Sequence, residues 1–241
     1  MPSPETIFFA LAGGILPALL WLWFWLQEDR LHPEPRGMII RTFFMGMVAV
    51  PLVLPFEQLA QSHFCSGISN MLLCTNGTVV IFLWCVSEEI FKWLAAYVSA
   101  LRTPEYDEPI DAVIYLLTAA LGFAALENTF FLLTSISQTT AITSLITGNL
   151  RFIGATLLHV LASGTVGYFI ALSFSRGRFG KVLYFIFGLA LAILLHTLFN
   201  LYIMRSEGTQ IFIVFCFVWV AILLLITGFE KVKRQRTTYL N

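Results

Sequence analysis

Charged residues are scarce in this chain. Asp, Glu, Lys and Arg make up 12% of its 241 residues, whereas hydrophobic residues make up 58%. A soluble domain of this length cannot bury so much apolar surface. The chain also lacks a net charge, because 14 basic residues balance 14 acidic ones, so nothing favours a nucleic acid as a partner. These absences exclude a soluble globular protein and a nucleic-acid-binding protein, and they predict an integral membrane protein.

Long apolar runs occupy most of the chain, and no internal repeat or low-complexity segment separates them. Seven runs reach the roughly 20 residues that a helix needs to cross the hydrocarbon core. Strands of a membrane barrel would instead alternate in segments of about ten residues. We therefore expect an all-α polytopic bundle of about seven transmembrane helices in one integral membrane domain, 1–241. The predicted spans are approximately 6–27, 38–60, 76–101, 111–134, 148–174, 182–204 and 208–229.

The distribution of Lys and Arg among the connections predicts the orientation, because cytoplasmic connections carry an excess of both. The connections after spans 1, 3 and 5 and the C-terminal tail hold most of them, whereas the opposite side holds only Arg151 and Arg205. We predict an outer N-terminus and an inner C-terminus in a prokaryotic cytoplasmic membrane. The residues assigned to the inner side are Arg30, Arg36, Arg41, Arg102, Arg176, Arg178, Lys181, Lys231, Lys233, Arg234 and Arg236.

Only four cysteines are present. Cys65 and Cys74 fall in the predicted outer connection between spans 2 and 3, where an oxidising exterior would allow them to form a disulfide. The sequence leaves open whether they are paired. Cys85 and Cys216 lie within spans and are expected to be buried hydrophobic side chains.

Ionisable residues inside the predicted spans form a single group. A charge near the bilayer centre costs at least ~2.5–3.5 kcal/mol, so such residues are candidates for function. With a rise of 1.5 Å per residue, one position on each of four helices falls about 10 to 18 Å below the outer boundary. Four helices therefore contribute to one polar layer. The intramembrane groups are Glu88, Glu89 and Lys92 in span 3, Glu127 in span 4, His159 in span 5 and His196 in span 6.

A layer of carboxylates and imidazoles has a defined chemistry. It can activate water by general base catalysis, stabilise a developing oxyanion, or bind a divalent metal ion at an open site. Lys92 lies at i+4 from Glu88 and can balance the carboxylates, and Asn200 lies at i+4 from His196, where it can act as an amide donor. We interpret the layer as a catalytic site.

The order and spacing of these residues resemble one known family. The motifs Glu88-Glu89-x-x-Lys92, Phe123-x-x-x-Glu127-Asn128, His159 and His196-x-x-x-Asn200 are similar to those of the PrsW-type intramembrane proteases, distant relatives of the CAAX prenyl proteases and CAAX-like bacterial membrane proteins. The resemblance covers about 85–200. It implies an intramembrane endopeptidase with a catalytic core at about 76–204, acting on membrane-anchored protein or peptide substrates; the founding activity is cleavage of an anti-sigma factor.

The resemblance also implies roles for individual residues. Glu88 matches the water-activating carboxylate and Glu127 stands where the prenyl-protease relatives have a helper histidine. His196 and Asn200 match the pair that stabilises the tetrahedral intermediate, and His159 matches an isolated histidine. Two mechanisms stay open, one with carboxylates alone and one with a metal ion, zinc being the candidate. The predicted catalytic residues are Glu88, Glu89, Glu127, His159, His196 and Asn200; the supporting residues are Lys92, Phe123 and Asn128; the metal ligands, for a bound ion, would be Glu88, Glu127, His159 and His196.

Two alternatives accompany this hypothesis. A proton- or cation-coupled transporter would also use buried Glu, His and Lys, but inverted repeats and paired broken helices are not evident in the sequence. A homodimer would supply the symmetry that such a transporter needs. The second alternative is a membrane scaffold or immunity protein that keeps the site without turnover.

Several other polar residues are left out of the predicted site. Glu57 is expected near the outer interface. Ser163, at i+4 from His159, suggests a nucleophile, but serine in a membrane helix more often packs or bonds to backbone. Asp107, Glu108 and Asp111 are expected in a solvated loop or as a helix cap.

Overall fold

The computed structural model describes residues 2–27, 32–67, 73–138, 141–205 and 210–239, with side chains described in these ranges except in 135–153, 210–211 and 234–239. Within these ranges the chain forms seven α-helices and no β-strand, which confirms the helical bundle. Arg30 and the side chains of Arg151, Arg234 and Arg236 lie outside the described residues, and the orientation stays a prediction. The helices are α1 Pro4–Leu26, α2 Arg36–Phe64, α3 Gly77–Ala96, α4 Pro109–Gln138, α5 Ala141–Leu172, α6 Arg178–Arg205 and α7 Gln210–Tyr239.

The ends of the helices follow from local sequence signals. Ser3 caps α1, where its side chain accepts a hydrogen bond from the backbone N–H of Thr6, and Pro4 begins the helix without losing an internal bond. At α4, the Asp111 carboxylate accepts hydrogen bonds from the backbone N–H groups of Asp107 and Glu108, at 3.0 and 2.6 Å. The helix-cap interpretation of Asp111 is thus correct.

Six of the helices within the described residues are long and apolar enough to cross a membrane. The seventh, α3, has the length for it, but every 18-residue window contains Glu88, Glu89 and Lys92. Among the helices that contribute to the polar layer, α3 is therefore the one whose number of charged residues sets it apart from an ordinary span. One π-helical turn, Tyr97–Leu101, extends it.

Helix α4 lies at the centre of the bundle. Its most apolar 18-residue window is 94% buried, whereas that of α1 is 22% buried. Helices α1, α2 and α5 pack against it, and α6 packs against α3 and α5. The helices that carry the polar layer, α3 to α6, therefore face one another in the interior, while the outer helices leave apolar side chains such as Phe8, Leu20 and Phe217 exposed.

Candidate active site

Helix α3 brings three ionisable side chains into the bundle. Glu88 is 6% exposed, Glu89 1% and Lys92 0%. Because an unpaired charge at membrane depth is costly, Lys92 is ion-paired, and its ammonium group bonds to the Glu89 carboxylate at i,i+3. The Glu88 carboxylate, at i,i+4, lies 4.0 Å away. Lys92 was predicted to balance the two carboxylates, and the structure places its ammonium group closer to Glu89 than to Glu88.

His196 of α6 is held from behind by the same carboxylate. Its Nδ1 lies 2.7 Å from Glu89 Oε1, and its Nε2 lies 3.7 Å from Glu88 Oε2. A carboxylate only accepts hydrogen bonds, so Nδ1 is the donor and neutral His196 carries a lone pair on Nε2. A histidine oriented in this way by a carboxylate presents a basic nitrogen to whatever lies in front of it.

His159 of α5 connects α3 to α4. Its Nδ1 lies 2.9 Å from Lys92 Nζ, and its Nε2 lies 2.7 Å from Glu127 Oε2. The ring of Phe123 lies beside both groups, 5.5 Å from the His159 ring and 5.1 Å from Lys92 Nζ. The predicted supporting residue Phe123 thus packs against the network, and both ring nitrogens of His159 are engaged.

A cavity of about 230 Å³ opens onto these groups. The Glu127 side chain is 43% exposed and marks its accessible end, whereas the Glu88 side chain is 8% exposed and lies deep. Among the described residues, Glu88 Oε2 is one of the few buried side-chain oxygens without a hydrogen-bond partner. Glu88 therefore presents an uncommitted carboxylate oxygen at the inner end of the cavity.

Two predicted asparagines also line the cavity. Asn128 donates to Thr156 Oγ1 at 3.1 Å and so ties α4 to α5. Asn200 donates to Cys85 Sγ at 3.5 Å. Thiol sulfur is a weak acceptor, so the Asn200 amide is available to a stronger acceptor in the cavity. Cys85 itself is buried, as predicted, whereas the same prediction for Cys216 is wrong, because its side chain is exposed on α7.

Glu57 is the residue that sequence reasoning missed. It was expected near the outer interface and left out of the predicted site, whereas the structure places it in the lining of the same cavity as Glu88 and Glu127. The Trp84 indole donates to the Glu57 backbone oxygen at 3.0 Å and joins α2 to α3 there. The presence of a carboxylate within a predicted span could have indicated Glu57 as a site residue. Its position along α2, however, does not show which way the side chain faces.

The remaining polar residues are placed outside the cavity. Ser163 donates to Glu89 Oε2 at 3.3 Å, so it supports the carboxylate. Asp107, Glu108 and Asp111 lie at the start of α4 and belong to a separate acidic pocket with Glu34. Cys65 and Cys74 are joined in a disulfide, with Cα atoms 5.8 Å apart.

The residues at the inner end of the cavity match the ligand types of a divalent metal site. Glu88, His159 and His196 each offer one ligand atom, and these atoms lie within 4.8 Å of one another. Two histidines and a glutamate are a ligand set of catalytic zinc sites. The partnerless oxygen of Glu88 and the free Nε2 of His196 fit a metal directly, whereas His159 would have to release Lys92 or Glu127. Glu127, predicted as a fourth ligand, lies outside this group of three and is hydrogen-bonded to His159.

Comparison with known proteins identifies the family of this chain. A profile described as PrsW family intramembrane metalloprotease matches residues 34–226. A protein named Protease PrsW from Halalkalibacterium halodurans is 26% identical over 226 residues, covering 90% of this chain and 95% of its own length. Protease PrsW of Bacillus subtilis is 30% identical over 128 residues, covering 53% and 55%, and that of Clostridioides difficile is 26% identical, covering 85% and 83%. No solved structure matches this chain.

Proposed function

Since the chain belongs to the PrsW family of intramembrane proteases, we propose that Glu88 is the general base that activates water for peptide-bond hydrolysis. The protein is a multi-pass enzyme of the bacterial cell membrane. The observation that carries the proposal is the buried Glu88 oxygen without a hydrogen-bond partner, which faces the cavity beside His196. A general base must be within reach of the proton it removes. Glu89, by contrast, is engaged by Lys92 and His196 and supports the site from behind.

The proposed reaction uses the residues around the cavity in sequence. Glu88 removes a proton from water, the water oxygen bonds to the peptide carbonyl carbon, and the carbonyl oxygen becomes an oxyanion. Asn200, whose amide gives up only a weak sulfur acceptor, donates to that oxyanion. Protonated Glu88 then gives its proton to the leaving amine as the C–N bond breaks. His196 carries no proton on Nε2 in its neutral form, so we assign the donor role to Asn200 rather than to the histidine.

A metal ion is compatible with the same residues. Bound through Glu88 and His196, with His159 as a further candidate ligand, a Zn²⁺ ion would polarise the carbonyl group and lower the pKa of a bound water. In that form of the mechanism Glu127, at the accessible end of the cavity, is the carboxylate left to act as base. We propose zinc as the metal because two histidines and a glutamate are ligands typical of catalytic zinc sites.

The substrate is proposed to be a membrane-anchored protein, with an anti-sigma factor as the first candidate. Peptide backbone at membrane depth is tolerated only inside protein or beside water, so the scissile segment must unwind from its helix before it enters the cavity. With the predicted orientation, entry is from the outer side or laterally.

The test is hydrolysis of a single-span reporter substrate by the purified full-length chain in detergent. We expect Glu88→Gln to lower kcat/KM at least about 100-fold, the size of a lost general base, with unchanged helical content. Glu230→Gln is the matched control, because Glu230 is exposed on α7 and pairs only with Lys233 among the described residues. It should retain wild-type activity.

Chelation and transport assays complete the test. Loss of activity on chelation and its return with Zn²⁺ would favour the metal mechanism, and no response would favour the carboxylates alone. Wild-type cleavage by the Glu88→Gln variant would contradict the assigned base. A Glu88-dependent proton flux in liposomes without cleavage would favour the transporter.

A further inference from the structure

Lys92 is completely buried behind the cavity. Its side chain is 0% exposed, and it is not among the residues that line the cavity. Its ammonium group makes two contacts. The first is with the Glu89 carboxylate, and the second is with His159 Nδ1, at 2.9 Å. The predicted supporting role of Lys92, charge balance for the glutamates, explains the first contact but not the second.

The second contact determines where His159 carries its proton. An ammonium group has three N–H donors and no acceptor, and a neutral imidazole has one donor and one acceptor nitrogen. Because Lys92 donates, His159 Nδ1 must be the acceptor. The ring proton then resides on Nε2, which lies 2.7 Å from Glu127 Oε2 and donates to it.

We propose that Lys92 is a positioning residue that fixes His159 in its Nε2–H tautomer and so makes it the hydrogen-bond donor that holds Glu127 in the cavity. The contribution of this arrangement to catalysis rests on the proposed function; the tautomer itself does not. The arrangement also divides the two histidines. His196 keeps a free Nε2 for a metal ion or a proton, whereas both ring nitrogens of His159 are engaged, so that His159 would bind a metal only by releasing Lys92 or Glu127.

The first experiment is nitrogen NMR of the full-length protein in nanodiscs with selectively ¹⁵N-labelled histidine. The chain has four histidines, and single substitution of each assigns their signals. We expect His159 to show an unprotonated Nδ1 and a protonated Nε2, and His196 to show the reverse. A protonated Nδ1 on His159 would overturn the proposal, and this readout needs no substrate, so it is independent of the Glu88→Gln result.

Substitution of Lys92 tests cause. Lys92→Met removes the donor at similar length, and we expect His159 to populate both tautomers and kcat to fall about 10- to 100-fold, as for other residues that orient a ligand or base. KM should not change, because Lys92 does not line the cavity. Lys92→Arg restores a donor and should recover the Nε2–H tautomer. An unchanged His159 spectrum in Lys92→Met would overturn the proposal.

Two controls separate positioning from folding and metal binding. Ser163→Ala removes another bond to Glu89 but leaves His159 untouched, so its His159 signals should match wild type. Added Zn²⁺ should shift the His196 Nε2 signal and not that of His159 Nδ1; a zinc-dependent shift at His159 Nδ1 would contradict the division of roles. If the Lys92→Met variant does not fold, the tautomers of His159 and His196 in the wild-type protein test the proposal by themselves.

Discussion

The two histidines of the cavity have identical side chains but opposite hydrogen-bond polarity. Nδ1 of His196 faces the Glu89 carboxylate and donates, whereas Nδ1 of His159 faces Lys92 and accepts. The difference arises from one neighbour of each ring. At the scale of single residues, function in this site is therefore assigned by the partner of a group and not by the residue type.

Glu34, in the connection before α2, offers a prediction at the same scale. It accepts a hydrogen bond from the Tyr115 hydroxyl, and burial, with the negative charges of Asp107 and Glu108 adding to it, raises the pKa of Glu34 above its usual 4.5. An acid with a raised pKa in the folded state binds its proton more tightly there than when unfolded. Its contribution to stability is therefore present below pH 4.5 and is lost as the pH rises through the folded-state pKa.

We therefore expect Glu34→Gln, which cannot ionise, to raise the melting temperature relative to wild type more at pH 8 than at pH 4, by roughly 2 °C. Thermal unfolding in detergent at the two pH values measures this difference. Glu230→Gln on the exposed face of α7 is the control and should show no such dependence. An equal effect of Glu34→Gln at both pH values would contradict the assigned burial.

At the scale of elements, α2 and α4 cross through glycines. A Cβ atom at Gly46 would meet the backbone of Ala119, and one at Gly122 would meet the backbone of Phe43. Backbone cannot move aside as a flexible side chain can, so the two helices approach this closely only because both positions lack a side chain.

We expect Gly122→Ala to destabilise the bundle by about 1–3 kcal/mol through overpacking, although alanine is the better helix former. The measurement is unfolding in mixed detergent micelles. Gly37→Ala in the first turn of α2 is the matched control, since a Cβ there meets nothing within 4 Å, and it should be neutral or stabilising. A Gly122→Ala variant as stable as Gly37→Ala would show that the crossing is looser than described.

At the scale of the whole molecule, the orientation in the membrane is a prediction from Lys and Arg. Alkaline phosphatase is active only outside the cytoplasm, so its fusion after residue 241 should be inactive and its fusion after residue 207 active. A fluorescent protein after residue 241 should fluoresce. The opposite pattern would mean that the N-terminus is inside and the C-terminus outside. The Cys65–Cys74 disulfide would then lie on the reducing side of the membrane, where disulfides are rare.

Much of the fold and part of the site were predictable from the sequence. The predicted spans agree with the helices to within about a turn at most ends, and with wider differences at the start of α5 and the end of α7. One cavity is lined by all four residues of the predicted layer, which are Glu88, Glu127, His159 and His196. Depth was predictable because rise along a helix is constant.

The sequence by itself determined that this is a membrane-embedded helical protein and which side chains share one depth, because a bilayer offers the backbone no hydrogen bonds and leaves helices as the way for such runs to cross it. Only the tertiary structure decided which way each side chain faces. That Lys92 meets His159, that Glu57 turns into the cavity and that Glu88 keeps a free oxygen all depend on how the helices pack against one another, which spacing along one helix does not specify.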